Sequence, residues 1–155
     1  MKKHTLSPVL HILIVLVAFV GLMDASFITY EKLAGVTPSC LPGFSCADVL
    51  SSSWAYLFGI PLAVYGVLFY YTTLVFGLMR IFSVQTFRIP VLKKELQVKN
   101  VQHFLAIFGF GFSLYLLTIM GVILQAWCFF CLVSAICCIV LFLLNMWDWC
   151  LEKRA

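Results

Sequence analysis

A bundle of four membrane-spanning α-helices, all-α, is the fold this sequence predicts, with an extracytoplasmic loop and a short interfacial helix between helices 1 and 2. Three observations predict it. The chain has 155 residues, 64% of them hydrophobic and 10% charged, with a mean hydropathy of +1.10. A soluble domain of this size has too little interior to hide that much apolar surface, so the bilayer has to be the solvent. Four apolar segments, near residues 9–30, 56–79, 101–124 and 127–147, each reach the roughly 20 residues that cross a hydrocarbon core about 30 Å thick. Nine of the ten Lys and Arg residues fall on one side: Lys2, Lys3, Arg80, Arg88, Lys93, Lys94, Lys99, Lys153 and Arg154, against Lys32 alone. The positive-inside rule then puts both termini in the cytoplasm.

The elements follow in order. Segment one carries Asp24 and has no small-residue cleavage site behind it, so it reads as a span and not as a signal peptide. Little chain is left over, and residues 1–155 read as a single membrane domain. The outward loop, residues 31–55, opens with Thr37-Pro38-Ser39 and holds the turn signal Pro42-Gly43 between Cys40 and Cys46. That turn can bring the two cysteines to disulfide distance. Asp48-Val49-Leu50-Ser51-Ser52-Ser53-Trp54 is too polar to span and suits a short amphipathic helix in the interface, with Val49, Leu50 and Trp54 toward lipid or bundle. Pro61 lies near the start of segment two, where a helix tolerates proline best. Gly109, Gly111 and Ser113 on segment three are small enough for close helix approach. Only a few residues join segments three and four, which makes them antiparallel neighbours. The net charge of +4 is split among short juxtamembrane stretches. It is a topology signal and not one for nucleic acid.

Four of the seven cysteines carry the chemistry. Cys40 and Cys46 lie in the outward loop, and Cys128-Phe129-Phe130-Cys131 opens segment four just after the outward turn. All four fall on the side where disulfides form and persist. Sulfurs at i and i+3 are neighbours on a helix face. In the first turn of a helix, free amides and the macrodipole favour the thiolate, the species that attacks disulfides. The two pairs can therefore pass electrons to each other. A zinc site completed by Cys40 and Cys46, or two structural disulfides, are the competing readings. Cys137 and Cys138 are small core residues deep in segment four, and Cys150 is an ordinary thiol at the cytoplasmic end. Asp24 is an intramembrane carboxylate, costly in lipid and expected to face the bundle interior. It has two open roles, proton handling near the sulfurs or a helix–helix hydrogen bond. His11 and His103 lie toward the cytoplasmic end, far from the sulfurs, and are poor candidates.

Taken together, Cys40-x5-Cys46, Ser52 six positions on, Phe58-Gly59-Ile60-Pro61 before helix two, Ser113-Leu114-Tyr115-Leu116 on helix three and Cys128-x2-Cys131 resemble the vitamin K epoxide reductase family along nearly the whole chain. The resemblance implies that Cys40 exchanges with a partner thiol protein outside the membrane, and that Cys46 relays electrons to Cys128. Cys131 would then meet a quinone, with Phe129, Phe130, Tyr115, Ser52 and the Ala135 position around the pocket. Ala135 stands where vertebrate members have a tyrosine, and residues 60–64 hold no asparagine. Those departures point away from vitamin K epoxide, the alternative substrate. They favour the prokaryotic branch, whose members reduce ubiquinone or menaquinone to make disulfides. With the chain ending eight residues after Trp147, the partner is expected to be a separate thioredoxin-like, DsbA-type protein, and the location a bacterial inner membrane. The DsbB-type oxidases differ in order, since their Cys-x-x-Cys opens the first outward region. The non-enzymatic alternative is a metal-binding tetraspan protein; the enzyme reading needs no metal.

Overall fold

The computed structural model describes residues 3–36, 40, 42–82, 86–89 and 94–153. Lys2, Lys93, Arg154 and Thr37-Pro38-Ser39 lie outside them. Helix α1 covers Lys3–Leu33, α3 Leu62–Ile81, α4 Val98–Thr118 and α5 Phe129–Lys153, with a π-helical turn Ile119–Leu124 continuing α4. All four are long and apolar enough to cross a membrane. Between α1 and α3 lie the short helix α2, Cys46–Ser51, and a 3-10 turn, Ser53–Ala55. The helices form a ring in the order α1, α3, α4, α5, each packing on the next, with α3 and α4 the sparsest pair.

The helices run past the spans read from hydropathy because that index marks only the lipid-crossing part. At about 1.5 Å per residue, the 31 residues of α1 reach roughly 46 Å. The start of the second span is the exception. Hydropathy places it at residue 56, but α3 begins at Leu62. Tyr56–Leu57 (β1) and Ile60–Pro61 (β2) pair instead as a minimal antiparallel hairpin. Its two turn residues, Phe58 at φ 52° and Gly59 at φ 80°, are both left-handed, as a tight hairpin turn requires. Pro61 also keeps Ile60 out of the α region, so no helix can start earlier. A second hairpin pairs β3, Thr86–Ile89, with β4, Lys94–Gln97. Among the described residues, these two strand pairs are the departures from helix and turn.

Both faces of each helix are apolar, and packing alone separates them. On α1, Leu10, Ile14, Ala18, Ala25 and Ile28 are buried, while Leu16, Val20, Met23 and Phe27 are exposed to what would be lipid. The core between helices gathers Ile14, Ala18, Tyr70, Cys137, Cys138 and Leu141, as expected for the two adjacent cysteines. Two large rings enter it over glycines. A Cβ on Gly21 would stand 2.2 Å from the Tyr70 ring, and one on Gly109 would stand 2.4 Å from the Phe69 ring. Tyr70 is fixed further because its hydroxyl donates to the Ser134 carbonyl at 2.7 Å and lies 3.2 Å from Cys138 Sγ. A bond of this kind inside a membrane bundle contributes about 0.6 kcal/mol on average. Ser113 is buried as expected. Gly111 faces outward with open space around it, so only Gly109 of the two glycines permits close approach.

The end of the bundle away from the loop is pinned by charge. Arg80 of α3 donates to Asp148 of α5, and His11 Nε2 of α1 lies 3.5 Å from the same carboxylate. One acid thus ties three helices. His103 stacks on Trp149 with ring centroids 4.6 Å apart. Both histidines lie at the end of the bundle opposite Cys46 and Cys128.

Replacing Gly21 by Val should cost about 1–3 kcal/mol, because the hydrogen-bonded Tyr70 ring cannot step aside. Gly111→Ala should leave stability unchanged or raise it by up to about 1 kcal/mol. Equilibrium unfolding of both variants in mixed micelles checks the contrast.

Candidate functional site

The loop after α1 folds back because its turn residues allow it. Gly43 adopts φ +95° in the Pro42–Gly43 turn, and Cys40 and Cys46 are joined as a disulfide with Cα atoms 6.0 Å apart. Cys46 is the first residue of α2. The Ser45 amide donates to the Trp127 carbonyl at 2.9 Å. That bond sets Cys46 and Cys128, each the next residue along, into one packed cluster with Val49 and Met120. Cys46 is 1% exposed and Cys128 0%. Phe44, Phe129 and Phe130 wall this cluster. Phe44 meets Phe129 edge-on at 5.7 Å, and Phe130 leans on Phe27 of α1 at 5.3 Å.

The approach to Cys128 is a helix ending. After the π-helical turn, Gln125 takes the left-handed conformation at φ 48°, and the Ala126 amide returns to the Met120 carbonyl at 3.2 Å. This is how a helix closes its last carbonyls before a reversal. Cys128 then sits at the foot of α5, where its carbonyl accepts the Leu132 amide at 3.0 Å. The Cys131 thiol donates to Cys128 Sγ, and this bond holds the Cys128 thiol below its ordinary range; burial works against it, and the Cys131 and Phe130 amides add to it. Both Cys128 and Cys131 are thiols here. The structure therefore holds an oxidised loop pair beside a reduced helix pair.

Cys131 looks the other way, into a cavity of about 260 Å³. This is near the small end for ligand sites. Its walls are largely apolar and come from every spanning helix together with α2 and the first hairpin. Of the residues expected around a pocket, Ser52, Cys131 and Ala135 line it, and so do Val49, Leu50 and Trp54 of the interfacial segment. Ser52 ends α2, its hydroxyl donating to the Val49 carbonyl at 2.7 Å. Phe129 and Phe130 are placed differently. They pack on the cysteine cluster and do not line the cavity, because the first turn of α5 turns them toward Phe44 and Phe27. Tyr115 is also displaced: it is 49% exposed, is not part of the cavity lining, and its ring lies 6.1 Å from that of Phe112, which is. Sequence reasoning missed the larger walls, Phe69, Tyr70, Phe108, Phe112 and Met120. In an apolar helix nothing in composition marks which ring points inward.

Lys32 closes the top of the site. Its ammonium donates to the Leu50 carbonyl near the end of α2 and lies 4.7 Å from the centre of the Tyr56 ring. A cation at a helix C-terminus is favourable, and here it fastens α2 and the hairpin to α1. Asp24 also faces the cavity, and its Oδ2 is buried without a hydrogen-bond partner. Among the described residues no group of three or more His, Cys, Asp or Glu is placed to hold a metal.

A model of the vitamin K epoxide reductase family matches residues 12–146 of this chain. Among curated proteins, the thiol-disulfide oxidoreductase LTO1 of Arabidopsis thaliana is 40% identical over 50 residues, 32% of this chain. The matched stretch spans 13% of the length of that relative.

Removing the donor in Cys131→Ala should move the Cys128 titration to higher pH, since the bond that lowers it is gone and burial remains. Less thiolate is then present at neutral pH. Ultraviolet thiolate absorbance of the two proteins, titrated in parallel, reads the shift; superimposable curves would contradict the assigned hydrogen bond.

Proposed function

The chain belongs to the vitamin K epoxide reductase family, and on that premise we propose that it is a membrane thiol:quinone oxidoreductase that reoxidises a thioredoxin-like, DsbA-type partner and so supports disulfide formation. One observation carries this reading. The four cysteines stand in series, from the half-buried Cys40 through buried Cys46 and Cys128 to Cys131 at the cavity. Cys46 and Cys128 are sealed from solvent.

The chemistry runs inward by thiolate attack. A partner thiolate attacks the Cys40–Cys46 disulfide at Cys40, and the second partner thiol resolves the mixed disulfide, leaving Cys40 and Cys46 reduced. When the helix pair is oxidised, Cys46 attacks Cys128 and Cys131 leaves as a thiolate. Cys40 then attacks Cys46, so the loop disulfide re-forms and Cys128 leaves. That exchange leaves the loop pair oxidised and the helix pair reduced. A quinone in the cavity would accept the two electrons and two protons released as Cys128 and Cys131 join. The apolar walls, the Cys131 sulfur and a few polar atoms suit a flat, poorly hydrated ring of the ubiquinone or menaquinone kind. The nine-to-one split of basic residues supports an inner-membrane orientation with both termini cytoplasmic, which puts the cysteine end in the oxidising compartment.

Purified protein in nanodiscs, given a reduced thioredoxin-like donor, should bleach ubiquinone or menaquinone absorbance. Cys40→Ala and Cys128→Ala should each abolish turnover while the helical circular dichroism stays unchanged. Full activity in both variants would overturn the proposal.

A further inference from the structure

The cavity holds more polar groups than its apolar walls need, and nearly all of them are engaged. Tyr65 donates to the Leu57 carbonyl at 3.2 Å, Tyr70 to the Ser134 carbonyl and Ser52 to the Val49 carbonyl. Lys32 is held by Leu50. Ser134 Oγ meets the Tyr70 hydroxyl at 2.9 Å, and Ser113 bonds Cys138. Asp24 differs. Its Oδ2 is shielded from solvent and has no hydrogen-bond partner, although Asp24 lies on the cavity wall with Cys131. A buried polar oxygen without a partner is costly in an apolar setting. In a native structure such a group calls for an explanation.

The alternative role for an intramembrane carboxylate, a helix–helix hydrogen bond, leaves Oδ2 unexplained. Lys32, the lone basic residue at this end, is already committed and cannot neutralise it. We propose that Asp24 is a catalytic acid: it holds a proton at Oδ2, aims it into the cavity as a hydrogen-bond donor to a quinone oxygen, and transfers it there as Cys131 is oxidised. This rests on the quinone-reductase reading and adds a residue to it. The balance closes within the site. Cys128 and Cys131 release two electrons and two protons as their sulfurs join. A quinone takes both electrons and both protons. Asp24 gives one proton and regains one from the sulfurs, so no further oxidant or reductant is needed. A group that must donate a proton has to stay unpaired until the acceptor arrives, which is what Oδ2 does.

The test compares wild type, Asp24→Asn and Asp24→Glu in nanodiscs with a short-chain benzoquinone. In wild type, infrared difference spectra on quinone addition should show a carboxylic-acid carbonyl band that shifts on binding and is absent from Asp24→Asn. Quinone reduction by Asp24→Asn should fall about a hundredfold in kcat, as for loss of a general acid, and Asp24→Glu should recover most of it. A wild-type spectrum with no protonated carboxyl responding to the quinone overturns the inference. So does an Asp24→Asn enzyme within twofold of wild type; in both cases the oxidoreductase reading stands. If wild type itself reduces no quinone while its loop pair still oxidises a partner dithiol, that reading falls first and the inference falls with it.

Discussion

Lipid offers no hydrogen bonds, so each spanning segment has to satisfy its own backbone inside a helix. That constraint orders the rest of this structure. Irregular backbone is confined to the ends of the bundle, and at the cysteine end it is concentrated: a disulfide-closed turn, a minimal hairpin with two left-handed residues, and a π-helical turn closed by left-handed Gln125. Each interruption is tied back by a specific bond, Ser45 to Trp127, Lys32 to Leu50 and Ala126 to Met120. The two cysteine pairs meet where regular helix stops, because only there can a loop cysteine be brought against a helix cysteine.

Between the helices, lipid gives no hydrophobic reason to associate, and close packing has to supply the specificity. Gly21 and Gly109 make room for Tyr70 and Phe69, and Asp148 draws α1, α3 and α5 together at the other end. The same two aromatic residues form walls of the cavity. Packing that holds the bundle and packing that shapes the site are thus one set of contacts. The sparse contact between α3 and α4 leaves the space that the cavity occupies.

The cysteine path separates two environments. Its loop end is half-buried and borders solvent, its middle is dry and walled by phenylalanines, and its last sulfur opens on an apolar chamber. Dry surroundings strengthen each charge-assisted bond within them. The Cys131-to-Cys128 hydrogen bond can therefore keep one buried thiol acidic where burial alone would do the reverse.

Composition, the four apolar runs and the turn signals around Cys40 and Cys46 made a great deal legible in advance: a membrane bundle, four spans and a short helix between the first two. These are properties of single segments, and transfer energies and local turn chemistry decide them one segment at a time. The Gly59 and Pro61 signals for a delayed helix start were also present in the chain, and the long apolar run masked them. Tertiary structure alone decided which side of each helix faces inward. Hydropathy normally marks the buried face by its contrast with a polar one, and in lipid that contrast is missing. So Gly109 and Gly111 look alike in sequence and differ in space, Phe129 and Tyr115 are no better marked than Phe69 and Phe112, and the unpaired oxygen of Asp24 becomes visible only once its neighbours have found their partners.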